Sequence, residues 1–153
     1  MQIRLMKKSD IEEVAQIERE TFSMPWSQRA FLQSLEMEHV LFLVAEKENE
    51  IAGYIGVYFA ADEAEITNVA VKEKFRRRHI GESLVKEMVL RAKERGAVFA
   101  FLEVRCSNAE AIALYEKMGF SICGSRKGFY EKPREDAYVM VFAPDISTIQ
   151  AGS

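Results

Sequence analysis

Three groups of residues have types and spacing suited to chemistry. Glu103 interrupts the apolar run Val98-Phe99-Ala100-Phe101-Leu102-Glu103-Val104. An ionised carboxylate within an apolar strand costs several kcal/mol unless it is partnered. A carboxylate tuned by such surroundings is also what a general base is made from. A pair with Arg105, or a strand end facing water, explains the residue equally well. Tyr115 follows in the next helical pattern. Its phenol, with a pKa near ~10, can protonate a leaving thiolate of pKa ~8.5. Core packing with the hydroxyl at the rim is the plainer account. The third group is Lys72, Lys74, Arg76, Arg77 and Arg78, which run straight into a helical pattern with Gly81 in its first turn. The first N–H groups of a helix have no partner within it, and the dipole there favours anions. A phosphate or pyrophosphate suits that place.

The whole chain restricts what the basic run can mean. Its 153 residues suit one domain with a real core, and its net charge of −3 sets the cations against an acidic background. A small anionic ligand therefore fits better than extended nucleic acid. Two cysteines, Cys106 and Cys123, and two histidines, His39 and His79, give neither a disulfide framework nor metal-ligand spacing. Cys106 as a nucleophile has no histidine near it in sequence. Met1–Leu5 carries no stretch of signal-peptide length, and no run approaches the ~20 apolar residues of a membrane helix. The expectation is a soluble cytoplasmic protein without metal, membrane or direct nucleic-acid partner.

The elements that must position these groups follow from periodicity. Residues 2–6 read as a strand. Ser9 and Glu12 form a capping-box pattern before the stripe Ile11, Val14, Ala15, Ile17, which runs to about Thr21. Pro25 breaks the pattern, and Ser27 can cap a second helix bearing Phe31, Leu32 and Leu35. Trp26, between the helices, reads as a core plug or as a groove wall. Val40–Glu46 and Ile51–Phe59 form a hairpin, with Gly53 and Gly56 hinting at a bulge or close approach of backbones. Ala64–Val71 is the next strand. Ile80–Arg95 is the strongest helical pattern, and Gly96 ends it. Val98–Val104 reads as a strand covered on both faces. Ser107 and Glu110 read as a second capping box opening a helix through Met118. Phe120–Cys123 and Asp136–Phe142 are strands around a loop at 128–133. The result is an α+β domain with a mixed, mostly antiparallel sheet of about seven strands and about four helices. It spans 1–143, and a small polar tail at 144–153 is expected to fray.

These residues carry a family resemblance. Arg76-x-x-His79-x-Gly81 resembles the Q/R-x-x-G-x-G/A turn of the GNAT superfamily of N-acetyltransferases. The block from Leu102-Glu103-Val104-Arg105 through Ser107-Asn108, Ala111-Ile112, Leu114-Tyr115 and Gly119-Phe120 is similar to bacterial ribosomal-protein alanine N-acetyltransferases. Pro25-Trp26-Ser27, Asn68-Val69-Ala70-Val71 and Arg134-Glu135-Asp136-Ala137 support the same likeness.

The resemblance implies a GNAT fold, acetyl-CoA as co-substrate, and a ribosomal protein with N-terminal alanine as acceptor. It also implies residue roles. The backbone of Val69, Ala70 and Val71 would bind the acetyl-pantetheine arm. The turn Arg77, Arg78, His79, Ile80, Gly81 and Glu82 would hold the pyrophosphate, Arg76 would belong to the same coenzyme site, and Asn108 would touch the coenzyme further along. Glu103 would accept a proton and Tyr115 donate one. Trp26 and Tyr130 would line the acceptor groove. His79 departs from the pattern, because it replaces a glycine. That matters if the position needs left-handed backbone angles, and matters little if the angles are helical.

The acceptor can also be argued from acidity. Keeping a lysine neutral at pH 7 costs roughly 3.5 kcal/mol more than keeping an α-amine neutral. This favours N-terminal acetylation over a lysine or small amine. A non-catalytic acetyl-CoA-binding module would keep the basic turn but has no need of Glu103 and Tyr115.

Overall fold

The computed structural model describes residues 1–143, so the tail expected at 144–153 lies outside the described residues. The described residues form seven strands and four α-helices, in the order strand, two helices, three strands, helix, strand, helix, two strands. Across the sheet the strands lie in the order β1 (Gln2–Leu5), β2 (Val40–Lys47), β3 (Glu50–Ala60), β4 (Glu63–Val71), β5 (Phe99–Arg105), β7 (Glu135–Phe142) and β6 (Ser121–Tyr130). The β4/β5 pairing is parallel, and β1/β2, β2/β3, β5/β7 and β6/β7 are antiparallel. The sheet is thus mixed and mostly antiparallel. The chain divides into two compact units, Met1–Tyr58 with Ile66–Met88, and Phe59–Glu65 with the chain from Val89.

The first unit contains β1 (Gln2–Leu5), α1 (Ile11–Thr21), α2 (Gln28–Leu35), β2 (Val40–Lys47), most of β3 (Glu50–Ala60), the latter part of β4 (Glu63–Val71) and the start of α3 (Ile80–Glu94). The predicted cap at Ser9 gives way to Asp10. A short 3-10 turn at Lys8–Asp10 precedes α1, and the Asp10 carboxylate accepts the Lys7 N–H at 2.8 Å. The same carboxylate accepts from the two terminal guanidinium nitrogens of Arg4, at 2.8 and 3.0 Å. Ser27 caps α2 as expected, its hydroxyl oxygen accepting the Ala30 N–H at 3.1 Å. Val14, Ala15, Phe31, Phe42, Val44 and Tyr54 make the buried core of this unit. The close approach foreseen at Gly53 is present. A Cβ there would come within 2.8 Å of the Ala70 carbonyl oxygen. The bulge lies beside it, where Ala45 pairs with Gly53 and Glu46 with Ile51.

The second unit contains the start of β4, the end of α3, β5 (Phe99–Arg105), α4 (Ala109–Lys117), β6 (Ser121–Tyr130) and β7 (Glu135–Phe142). Burial along β5 alternates, with Ala100, Leu102 and Val104 buried and Phe99, Phe101, Glu103 and Arg105 half-buried. The expectation of a strand covered equally on both faces is therefore corrected. Strand β6 is far longer than predicted, and the loop expected from Gly128 begins only at Glu131. Gly128 takes φ +62° inside the strand, and a register shift between Arg126 and Tyr130 absorbs it. Tyr115, Phe120 and Phe142 pack ring on ring at 5.8 and 5.4 Å.

Candidate active site

In the first unit, the end of β4 and the turn after it form one structure. The Lys72 N–H donates to the Ala52 carbonyl at 2.7 Å, which ties the strand end to the bulge. Arg76 donates through Nε to the Val71 carbonyl at 3.0 Å. Its side chain therefore fixes the strand segment Val69–Val71 and is partly committed to it. The other cations of the turn are also organised. Glu50 accepts from Lys74 at 2.7 Å and from Lys72 at 2.9 Å. These two ammonium groups, Lys74 first, hold the Glu50 carboxyl below its ordinary value. The Arg78 guanidinium lies 5.5 Å from the Phe75 ring centroid and 3.9 Å from Glu48.

The helix start has a specific backbone. Arg77 and His79 both take left-handed angles, with φ +65° and +60°. Residue 79 is thus not in a right-handed helical conformation, and the departure from glycine has a physical cost. A non-glycine residue there is disfavoured by about 1–2 kcal/mol, although histidine is among the residues enriched at such angles. His79 is anchored in return. Its Nδ1 lies 3.2 Å from Glu82 Oε2, and its carbonyl accepts from both the N–H and the hydroxyl of Ser83, at 3.0 and 2.9 Å. The Ser83 N–H is the first to bond within α3. The amides ahead of it are those a helix cannot satisfy itself.

In the second unit, Tyr130 lies within electrostatic reach of both Glu103 and Tyr115. Glu103 has a side chain 12% exposed and lies with Oε1 3.5 Å from Arg126 Nε. Arg105, the partner in the alternative reading, has several contacts of its own. It meets Glu135 at 3.2 Å, the carbonyls of Pro133 and Glu131 at 2.9 and 3.1 Å, and the Tyr130 ring at 4.4 Å. Tyr130 is the last residue of β6. Burial first, and then the Glu103 charge, push its phenol up to about 12. Tyr115 is also pushed up to about 12, by burial first and then by Tyr130. Tyr130 therefore senses both members of the expected proton-transfer pair.

Asn108 takes a role that sequence reasoning gave to Ser107. Its Oδ1 accepts the Ala111 N–H at 3.1 Å and caps α4, while the Ser107 N–H donates to Glu135 Oε2 at 2.7 Å. Trp26, in the first unit, is half-buried against Phe31 and Phe42, with centroids 5.3 and 6.1 Å away. Its backbone N–H donates to the buried Glu18 carboxylate at 2.9 Å. Glu18 also accepts the Tyr54 hydroxyl and, at 3.4 Å, the Asn68 amide. Arg126 and Glu18 were not foreseen, and Glu135 entered only within the motif Arg134-Glu135-Asp136-Ala137. Glu18 left a signal as a charge beside the apolar stripe of α1.

Comparison with known proteins decides what this arrangement serves. Residues 11–120 match the model of the acetyltransferase (GNAT) family. The chain belongs to that family. Its curated relatives include a ribosomal protein bS18-alanine N-acetyltransferase of Salmonella typhimurium, 34% identical over 90% of this chain and 94% of that one. A Bacillus subtilis protein, to which the same activity is assigned provisionally by name, is 40% identical over 90% of this chain and 92% of its own. Among solved structures, the ribosomal-protein-S18-alanine N-acetyltransferase of Escherichia coli superposes with a TM-score of 0.86 at 30% identity, covering 93% of this chain and 92% of that one. The GNAT fold, the acetyltransferase activity and acetyl-CoA as its co-substrate are therefore established together.

The residues present fit acetyl-CoA. Gly53 lets the β3 backbone lie against Ala70, and Arg76 pins the Val71 carbonyl. The turn beyond presents first-turn amides among arginines, which suits a pyrophosphate. Among the described residues, no group of three or more His, Cys, Asp or Glu gathers as a metal site. Both cysteines are free thiols. Among the described residues, no helix is long and apolar enough to cross a membrane.

Proposed function

We propose that the acetyltransferase modifies the N-terminal α-amine of a protein, with a ribosomal protein of the bS18 type beginning in alanine as acceptor. The observation that carries this reading is the end-to-end similarity to relatives named for that activity, at 34–40% identity across 90% of the chain. The grouping of Glu103, Tyr130 and Tyr115 supports it. Residues 1–143 act as one catalytic domain, and the protein works in the cytoplasm, where its acceptor is made.

Bound acetyl-CoA supplies an activated acetyl group. The backbone of Val69, Ala70 and Val71 receives the arm that carries it, and one amide there faces the thioester oxygen. Such a donor is often worth ~3 kcal/mol in the transition state. Arg77, Arg78, His79, Ile80, Gly81 and Glu82 hold the pyrophosphate, largely through main-chain N–H groups, and Arg76 keeps Val71 in place. Asn108 has its side-chain oxygen committed to α4, so its amide nitrogen is the group it offers the coenzyme. Trp26 and Tyr130 are each assigned to contacts with the acceptor.

Glu103 takes the proton of the attacking amine, directly or through water. Tyr115 stands as the proton donor to the departing sulfur. At about 12, its phenol is fully protonated at neutral pH. It lies ~3.5 units above an ordinary thiol, a gap of roughly 5 kcal/mol against complete transfer. Tyr115 therefore acts first as a hydrogen-bond donor, and its proton moves as negative charge builds on sulfur.

Incubation with acetyl-CoA and a panel of peptides tests the reading. The panel contrasts free N-termini beginning in alanine with N-terminally blocked lysine peptides. Mass spectrometry is expected to place the acetyl group on the α-amine of alanine peptides. Acetylation confined to lysine side chains would overturn the proposal.

A further inference from the structure

Glu65 has no part in the reading above, yet β-sheet geometry places it beside Glu103. Glu65 pairs with Phe101 in the parallel β4/β5 ladder. Paired residues on neighbouring strands share a face, and side chains alternate along each strand. Glu103, two residues beyond Phe101, is therefore on the face of Glu65. Burial agrees with this placement. Glu63, Glu65, Phe99, Phe101 and Glu103 are half-buried, whereas Ala64, Ala100 and Leu102 between them are buried.

The charges around the pair come from three strands. Glu63 and Glu65 belong to β4, Glu103 to β5, and Arg126 with Tyr130 to β6. Burial first, then the Glu103 and Glu63 charges, push the Glu65 carboxyl above its ordinary value, and Arg126 opposes that rise. Arg126 also meets Glu103 at 3.5 Å. Arg126 thus touches one carboxylate and acts on the other through its charge.

Proton counting gives the pair a purpose. An α-amine with a pKa near ~7.8 is mostly ammonium at pH 7. On the way to an amide, the ammonium nitrogen loses two protons as its bond to the acetyl carbon forms and the carbon–sulfur bond breaks. One proton replaces the one that Tyr115 gives to sulfur, and the other leaves for solvent. A single carboxylate holds one proton at a time.

We propose that Glu65 is a second proton acceptor beside Glu103, so that two carboxylates sharing Arg126 strip the acceptor ammonium. This rests on the assignment of Glu103 as the base. Glu65 takes the first proton, from ammonium, and releases it to solvent. Glu103 takes the second, as the nitrogen–carbon bond forms.

The test is kcat/KM for an alanine-initiated peptide between pH 6 and pH 9.5, at saturating acetyl-CoA. Glu65→Gln, Glu65→Asp and Glu103→Gln are compared with wild type. Above the amine pKa the acceptor arrives neutral and needs one proton acceptor. Glu65→Gln is then expected to match wild type near pH 9 and to fall roughly tenfold below it by about one unit under the amine pKa. Glu65→Asp keeps the wild-type profile. Glu103→Gln is expected to be slow throughout the range. A Glu65→Gln profile identical to wild type, or reduced by one factor at every pH, overturns the role of Glu65 and leaves Glu103 standing. A Glu103→Gln enzyme as active as wild type instead removes the base on which the inference rests. If Glu65→Gln does not fold, Glu65→Ser is read in its place: an added loss at low pH supports the role, and an unchanged profile or a uniform reduction overturns it.

Discussion

Arg126 Nε lies 3.5 Å from Glu103 Oε1, so a residue of edge strand β6 reaches the carboxylate of β5 past the intervening β7. The Arg126 side chain is 55% exposed, and exposed ion pairs contribute about 0–1 kcal/mol to stability. Its removal is expected to act on chemistry more than on folding. Arg126→Met deprives Glu65 of the cation that opposes its upward shift, so Glu65 stays protonated to higher pH. Turnover is expected to fall more at pH 6 than at pH 8, with the urea midpoint almost unchanged. Parallel pH profiles for the variant and wild type would contradict this.

His79 carries left-handed backbone angles that glycine adopts without penalty. Substitution with glycine removes a strain of about 1–2 kcal/mol and restores about 0.5–1 kcal/mol of unfolded-chain entropy. His79→Gly is expected to be slightly stabilising, by up to ~1 kcal/mol on that balance, and to bind acetyl-CoA as well as wild type. His79→Val is expected to destabilise and to weaken coenzyme binding, because a β-branched residue resists the same angles. Calorimetric titration and thermal melting of both variants check the pair.

Glu18 is 2% exposed and gathers the Tyr54 hydroxyl, the Trp26 backbone N–H and the Asn68 amide. Burial first, and then the Glu18 charge, push the Tyr54 phenol far up, so it remains a donor at all working pH. Tyr54→Phe removes that donor from a buried carboxylate and is expected to cost about 1–3 kcal/mol. Glu18→Ala strands two buried donors and the part-buried backbone N–H of Trp26 and is expected to cost about 3–5 kcal/mol. Urea denaturation of the two variants measures both losses.

Asp10 gives the fold an acid-sensitive tie. Burial alone would push its carboxyl up, but the Arg4 guanidinium and the Lys7 N–H outweigh burial and hold it below 3.8. A group depressed in the folded state adds stability above its unfolded value, and that stability is lost as pH falls through the folded value. Melting temperature is expected to drop below about pH 4, and part of the drop is expected to vanish in Asp10→Asn. The variant is also expected to be less stable than wild type at pH 7.

Much of this was legible from the sequence, and the failures have physical causes. The helix at Ile80–Glu94 and the hairpin of β2 and β3 were plain because hydrophobic periodicity and turn residues agreed. Strand β6 was cut short because its residues are almost all exposed, with Gly124 and Gly128 inside it. Its pairing with β7, rather than its own pattern, makes it a strand. The α4 cap was misplaced by one residue, since Ser107 and Asn108 both suit that role and the distant Glu135 carboxylate decides between them. The same long-range effect explains Glu103. Nothing local shows that Arg105 is taken by Glu135 and that Arg126 meets Glu103 instead. The backbone angles at His79 were undetermined because histidine permits either conformation.

The most direct test of the proposed chemistry is single-turnover acetyl transfer to an alanine-initiated peptide by Glu103→Gln and Tyr115→Phe, with acetyl-CoA affinity measured on the same samples. Loss of general acid or base catalysis is typically worth about 10²–10⁴-fold, and each variant is expected to slow transfer within that range. Acetyl-CoA affinity is expected to stay within a few-fold of wild type. Transfer at the wild-type rate by both variants, with the coenzyme bound normally, would contradict the assignment of Glu103 and Tyr115.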